Sequence, residues 1–294
     1  MRWLRALALA PLLCFAGFGQ AAAQSFDMPA ANENVSLAAA PADQNALPLT
    51  QRIGPLTFIS QTLNNCGPAS VAEVLDFYDV HKTQAQVAQV LRPQLPTYGM
   101  SLYGVPFYAE SVGMRSYEAV GGTDQVLKAF IANGIPVIVS DLVSKTERIR
   151  HFRPIDGYDD SAGYFIGTDP YLGPNHKIAY SDFDDLWSIS NNRWVIVYPP
   201  DKQPVVDSVL AQYWDHATAL QQGLQHAQQR LATQPNMPWS WLEMADMQID
   251  AGDYNDAASN LQKGMSIGVP FEGHWLQLKL QRATASQPPP GAAA

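Results

Sequence analysis

The sequence predicts an α+β domain followed by a small all-α domain. Between residues 51 and 134, most apolar residues recur at helical spacing, whereas short β-branched and aromatic runs take over between 135 and 198. Helices first and strands second indicate an α+β fold with N-terminal helices and a C-terminal antiparallel sheet. After Pro199-Pro200 the strand signals disappear and a helical pattern continues to about residue 285.

Residues 1–23 have the pattern of a secretory signal peptide. Arg2 and Arg5 precede an apolar stretch, and Ala21-Ala22-Ala23 supplies a small-residue cleavage site. We therefore expect an exported protein, either periplasmic or extracellular. A lipid anchor at Cys14 is disfavoured because the residues just before it are not small. Residues 24–50 are rich in Ala, Asn, Asp and Pro without a sustained period, which predicts a disordered linker.

Charge and hydropathy exclude several classes of partner. The 294-residue chain has 18 Lys and Arg against 27 Asp and Glu, a formal charge of −9, and removal of Arg2 and Arg5 makes it −11. Such an acidic chain is a poor ligand for phosphate backbones, so we expect no nucleic-acid partner. Beyond the signal no apolar run approaches about twenty residues, so we expect no membrane span.

Local signals place the elements of the first domain, residues 51–200. Asn64 or Asn65 can cap a helix that starts at Cys66 and has Pro68 in its first turn. Thr83-Gln-Ala-Gln86 has the pattern of a capping box. Further helices are predicted over 101–112 and 123–133, and strands over 135–140, 151–158, 163–168 and 193–198.

Residues 201–285 form the predicted helical domain, followed by a disordered tail at 286–294. Its spacing resembles one tetratricopeptide repeat, a helix-turn-helix unit of about 34 residues. The positions that carry this resemblance are Trp241, Met244, Ala245, Gly252, Tyr254, Ala257, Ala258, Leu261 and Pro270. A single repeat cannot bury its own apolar face, so the flanking helices are expected to act as incomplete repeats or caps.

Cys66 is the most informative residue, because signal cleavage leaves it as the lone cysteine. Exported proteins normally pair cysteines in disulfides, so a lone one is an intermolecular bridge, an inert buried side chain or a nucleophile. A helix N-terminus lowers the pKa of a thiol through its backbone N–H groups. The predicted helix start at Cys66 therefore favours a nucleophile.

His151 is the best candidate for the base. It starts a predicted strand, and a turn centred near Asp160 would place it opposite Asp169 in an antiparallel hairpin, where the carboxylate can orient the imidazole. Asp156 competes for that role but should point to the other face of the strand. His176 has no strand pattern to position it, and His81 also lies in a turn-like stretch. The remaining histidines, at 216, 226 and 274, belong to the helical domain.

Gln61 lies five residues before the thiol and can supply an amide donor. In acyl transfer, a side-chain amide together with the backbone N–H of the nucleophile stabilises the oxyanion. No ligand pair shows zinc-like spacing, so neither a metal nor another cofactor is expected.

Four ordered motifs resemble the papain-like cysteine peptidases of the double-glycine leader peptidase type. They are the Gln61 to Ser70 block, the strand Pro136-Val-Ile-Val139, His151 to Asp159, and Gly167-Thr-Asp169-Pro170. The resemblance implies that Gln61 is the oxyanion residue, Cys66 the nucleophile, His151 the general base and Asp169 its orienting carboxylate. Family members that process bacteriocin leaders are usually fused to a membrane transporter, whereas this chain has a signal-like segment and a helical domain.

The leading hypothesis is an exported cysteine peptidase or amidase that cleaves a peptide or protein substrate, with the helical domain docking substrate or a protein partner. The same acyl intermediate could pass to an amine, which would make the protein an acyltransferase. The alternative is a non-catalytic peptide- or protein-binding module, in which Trp241 and Tyr254 matter and Cys66 does not.

Overall fold

The computed structural model describes residues 47–93, 99–268 and 270–286. The signal peptide, most of the linker and nearly all of the tail lie outside these residues and stay predictions. Within the described ranges, no helix is both long enough and apolar enough to cross a bilayer.

The described chain contains helices throughout and one sheet. The helices are α1 (Cys66–Phe77), α2 (Gln84–Leu91), α3 (Val105–Ser111), α4 (Asp124–Ala132), α5 (Tyr180–Trp187), α6 (Gln203–Tyr213), α7 (His216–Thr233), α8 (Pro238–Ala251), α9 (Tyr254–Ile267) and α10 (Pro270–Ala285). The strands are β1 (Thr50–Arg52), β2 (Arg115–Ala119), β3 (Val137–Leu142), β4 (Arg150–Asp159), β5 (Tyr164–Asp169), β6 (Gly173–Ala179) and β7 (Trp194–Tyr198). Short 3-10 turns span Leu102–Gly104, Ser188–Ser190 and Pro200–Lys202.

The signals at the starts of the first two helices are confirmed, with one difference. Helix α1 begins at Cys66 as predicted. The Thr83 capping box is formed, because the Thr83 hydroxyl accepts from the Gln86 N–H at 3.2 Å and the Gln86 amide oxygen accepts from the Thr83 N–H at 2.9 Å. Asn65 precedes α1 without a side-chain cap, since its amide donates to Thr62 Oγ1 at 2.7 Å instead.

Several ordered elements were not predicted. β2 and β6 have few β-branched residues or include Gly, Pro and Asn, so their sequences give weak strand signals. The eight-residue helix α5 was also not predicted. The predicted linker also ends too late: Thr50 already lies in β1, and the Tyr158 hydroxyl donates to the Pro48 carbonyl at 2.8 Å. Pairing with neighbouring strands orders β1, β2 and β6, and such pairing is hard to predict from a short stretch of sequence.

The strands form an antiparallel sheet in the order β2-β7-β3-β4-β5-β6, and β1 pairs with the far half of β4. Alternate residues of one strand therefore face opposite layers. Ile138 and Val195 pack with α1 to α3, whereas Val137, Val139 and Ile196 pack with α4 to α6. The sheet is thus covered on both faces, and β4 lies in its interior.

The C-terminal helices share a core with the preceding domain. Leu242, Ala245 and Leu276 belong to the same buried cluster as Val71 and Leu75 of α1. α8 and α9 are joined through Gly252, whose φ of 84° suits a glycine. The predicted boundary near residue 200 therefore does not separate two independent cores. Whether the α8–α9 pair is a tetratricopeptide unit stays a prediction.

Candidate active site

The N-terminal end of α1, which carries Cys66, is fixed to β4. Ser70, one turn after Cys66, donates its hydroxyl to the Phe152 carbonyl at 3.1 Å. The backbone N–H of Phe152 in turn faces the Cys66 thiol. Cys66, a partly buried free cysteine, therefore lies against the backbone of the residue that follows His151.

The environment of Cys66 favours the neutral thiol. Burial raises the thiol pKa above its ordinary value, and the negative charge of Asp169 adds to this. The N–H groups of Phe152 and Gly67 act in the opposite direction without reversing the shift. The lowered pKa expected from a helix start is thus outweighed by desolvation.

His151 and Asp169 are in direct contact, as the sequence predicted. The Nε2–H of the imidazole donates to Oδ1 of Asp169 at 3.0 Å, and both side chains are almost fully buried. The same oxygen accepts the N–H groups of Tyr171 and Leu172, each at 2.8 Å, so the loop after β5 fixes the carboxylate. Because Nε2 is engaged, Nδ1 is the nitrogen left for proton exchange.

The register used to predict this contact was wrong. The turn lies between Asp159 and Tyr164, later than the assumed centre at Asp160, and a bulge after Ile155 shifts the pairing again. The last observed pair of this ladder is Ile155 opposite Gly167. If the same register is extended by two residues, Arg153 and not His151 lies opposite Asp169. His151 reaches the carboxylate diagonally, which a Cβ spacing of about 7–8 Å allows for long side chains.

Arg153 completes a buried charge cluster that the sequence reasoning missed. Its Nη1 lies 3.0 Å from Oδ2 of Asp169, its Nε lies 3.0 Å from Oδ2 of Asp141, and all three residues are fully buried. Burial alone would raise the pKa of Asp169, but the His151 hydrogen bond and the Arg153 charge lower it to about 2. The pKa of His151 is lowered by burial, which its bond to Asp169 only partly offsets. Arg153 follows His151 by two residues in the strand, and that spacing was the available signal.

Gln61 lies beside the loop that follows Asp169. Its backbone N–H donates to the Pro170 carbonyl at 2.9 Å, and its Oε1 is buried without a hydrogen-bond partner. Glu73 of α1 holds the same segment by accepting the Ile59 N–H at 2.8 Å. Burial raises the pKa of Glu73 to about 9, so this residue is a neutral acid at pH 7.

Asp156 and His176 were the alternatives to Asp169 and His151. Asp156 binds Arg52 at 3.2 Å and Thr168 Oγ1 at 3.0 Å, which are contacts away from His151. His176, expected in a turn, lies instead on β6 opposite Gly167, because pairing with β5 orders that segment. Burial and the Arg153 charge lower its pKa. In the described ranges, no cluster of His, Cys, Asp and Glu has a metal-binding arrangement.

Comparison with known families agrees with this geometry. The model of the Peptidase_C39-like family matches residues 43–196, just over half of the chain. The chain belongs to this family. Of the described elements, this C39-like segment contains β1 to β6, β7 as far as Ile196, and α1 to α5, together with the four candidate site residues. The chain is cysteine peptidase-like over that segment. No curated protein sequence matches the chain.

Solved structures with a similar C39-like domain include three peptidases. One is a double-glycine-motif protease from an AMS/PCAT transporter in complex with a leader peptide, with 21% identity, 51% coverage of this chain, 94% of that chain and a TM-score of 0.40. A second is the peptidase domain of Streptococcus ComA, a bifunctional ABC transporter involved in quorum sensing. It has 19% identity, the match covers 49% of this chain and 98% of that chain, and the TM-score is 0.39. The third is a C39-like peptidase from Bacillus anthracis. It has 13% identity, the match covers 50% of this chain and 96% of that chain, and the TM-score is 0.44.

Proposed function

We propose that the protein is an exported cysteine peptidase or amidase that cleaves peptide or amide bonds. The observation that carries the proposal is the buried His151 to Asp169 hydrogen bond next to a thiol held against Phe152. A nucleophile, a base and a group that orients the base are the parts that acyl transfer by a side chain needs. Membership of the Peptidase_C39-like family supports the same reaction class.

In the proposed reaction, Cys66 Sγ attacks the substrate carbonyl while its proton passes to Nδ1 of His151. The pKa shifts support a neutral thiol and a neutral imidazole in the resting enzyme, so proton transfer accompanies attack. The Gln61 amide and the Cys66 N–H stabilise the oxyanion. The C–N bond then breaks, and the His151 proton leaves with the amine.

The resulting thioester is resolved by water. His151 takes a proton from the water, the hydroxide adds to the carbonyl, and the acid product leaves as Cys66 regains its proton. An amine in place of water would give acyl transfer by the same steps. Asp169 keeps the proton of the neutral imidazole on Nε2 throughout, which leaves Nδ1 free to accept.

The experiment is digestion of a mixed peptide library by the purified chain, with mass spectrometry of the new termini. We expect cleavage by the wild type, none by Cys66→Ala, and wild-type cleavage by the control His81→Ala, whose imidazole binds Asp76 and not the site. Cleavage by Cys66→Ala would overturn the proposal. New amide products instead of free acids would favour the acyltransferase.

Export is proposed from the signal-like segment at residues 1–23. N-terminal sequencing of the chain recovered from the periplasm or medium tests it. We expect the mature chain to start just after Ala23. A chain that keeps Met1 and stays in the cytoplasm would contradict export.

The second candidate, a non-catalytic peptide-binding module, has one observation in its favour: burial raises the pKa of Cys66, as in an inert core thiol. A binding module should bind peptides equally well in the wild type and in Cys66→Ala, and neither protein should form cleavage products.

With either function, we propose that the helical region docks a substrate or partner. Because that region shares its core with α1, truncation near residue 200 would unfold the domain, and surface variants such as Gln262→Arg are the better probes.

A further inference from the structure

Glu272 is a buried carboxyl group that the proposed reaction does not use. It lies on α10, outside the C39-like segment, and is only 4% exposed. The Ser101 hydroxyl donates to its Oε2 through a short hydrogen bond, and the Ser101 N–H also faces the carboxylate. A residue of the C-terminal helical region thus fixes the chain just before the 3-10 turn Leu102–Gly104.

The residue before Ser101 contacts the nucleophile turn. Met100 is 6% exposed and packs on Gly67, the residue that follows Cys66. A Cβ at position 67 would lie 2.6 Å from the Met100 methyl carbon and 3.1 Å from its sulfur. The glycine leaves room for Met100, which therefore presses directly on the start of α1.

α10 also holds the next turn of this segment. A Cβ on Gly104 would lie 2.8 Å from the Trp275 ring, and Trp275 stacks on Phe107 with ring centroids 5.5 Å apart. Residues 100–104 are therefore packed between α10 on one side and α1 on the other. Because protein interiors are close-packed, a displacement of this segment by α10 is transmitted to α1.

We propose that Glu272 is a positioning residue for Cys66: by fixing Ser101 it holds Met100 against Gly67 and keeps the start of α1, which carries the thiol, in place on β4. This inference rests on the proposed function, because it gives the helical region a part in the reaction. A displacement of about 1 Å at a reacting group can cost about a hundredfold in rate. A single residue 206 positions after the nucleophile in the chain thus controls its alignment.

The test measures the second-order rate of Cys66 alkylation by iodoacetamide at pH 7 in the full folded chain, together with the melting temperature. Glu272→Leu removes both acceptor oxygens, and Glu272→Gln keeps one. Ser101→Ala removes the donor and serves if Glu272→Leu fails to fold. Gln281→Ala is the matched control, because Gln281 also lies on α10 but has an exposed side chain.

We expect alkylation to slow at least about fivefold in Glu272→Leu and Ser101→Ala, to recover in Glu272→Gln, and to stay within about twofold in Gln281→Ala. Met100→Ala separates positioning from general stabilisation through a double-mutant cycle. If Glu272 acts through Met100, Glu272→Leu adds little further slowing in the Met100→Ala background. Additive effects, or slowing that merely follows the melting temperature, would overturn the inference.

Failure of this inference differs from failure of the proposed function. If His151→Ala alkylates as fast as the wild type, the thiol is not activated and the proposed function fails. If His151→Ala is slow but the Glu272 and Met100 effects are additive, only the positioning role is rejected.

Discussion

The His151 Nε2–H donates to Asp169 Oδ1 at 3.0 Å even though the two residues do not face each other in the β ladder. Asp169 is opposed by Arg153 in the continued register, and Arg153 takes the other carboxylate oxygen. One buried carboxylate thus serves both an imidazole and a guanidinium two residues apart on the same strand.

Asp169→Asn should lower kcat/KM by about 10²- to 10⁴-fold. An amide can donate to Nε2 as well as accept from it, so the imidazole is no longer held as the Nε2–H tautomer. Because Asp169 raises the pKa of His151, its loss should also move the acid limb of the pH profile to lower pH. Peptide turnover measured against pH checks both effects, with the exposed Asp185→Asn as control. An unchanged profile would exclude an orienting role.

The pH dependence of wild-type kcat/KM should be a broad bell. Burial lowers the pKa of His151 below 6.5 and raises that of Cys66 above 9.0, and the active form has a neutral imidazole and a protonated thiol. Activity should therefore rise with pH through a midpoint below 6.5 and fall only above 9.0. A narrow optimum between those values would contradict the neutral pair.

Arg153→Met should destabilise the fold by about 3–5 kcal/mol, because it leaves Asp141 and Asp169 buried without their cation. Urea unfolding at pH 7 measures this. The exposed Arg148→Met is the control and should change the free energy of unfolding by less than about 0.5 kcal/mol. If both variants behave alike, Arg153 does not stabilise the cluster.

The sequence predicted the start of α1 at Cys66 and the contact between His151 and Asp169, but not the residues that surround them. The Cys66 helix start and the His151 contact with Asp169 follow from local signals, namely a cap pattern and a turn. The turn lies later than assumed, between Asp159 and Tyr164, and a bulge follows Ile155, so the register argument predicted the right contact from a wrong pairing. Arg153 was passed over because a charged residue is rarely expected inside a sheet unless its partners are known.

Long-range packing also explains why β6 and the shared core were not predicted. β6 includes Gly173, Pro174 and Asn175, which predict a turn, yet pairing with β5 makes it a strand that carries His176. The shared core between α1 and the helical region was also missed, since an amphipathic pattern does not say which partner covers it.

Glu73→Gln should stabilise the protein increasingly as pH rises. The folded-state pKa is about 9 against 4.5 for an ordinary glutamate, so between these values the folded state binds a proton that the unfolded state has lost. Unfolding then becomes easier with rising pH, by at most about 1.4 kcal/mol per unit. The glutamine keeps an oxygen for the Ile59 N–H and removes this loss.

Urea unfolding at pH 5, 7 and 9 tests the Glu73 prediction. The free-energy difference between Glu73→Gln and wild type should grow across that series, whereas the exposed Glu147→Gln should show no such trend. A difference that stays constant with pH would mean that Glu73 is ionised in the folded protein.

The most direct test of the account is the rate of Cys66 alkylation by iodoacetamide at pH 7 in the wild type and in His151→Ala. A thiol that exchanges its proton with His151 should react at least about tenfold faster in the wild type, and Asp169→Asn should fall between the two. Equal and slow alkylation in all three proteins would show that the imidazole does not activate the thiol.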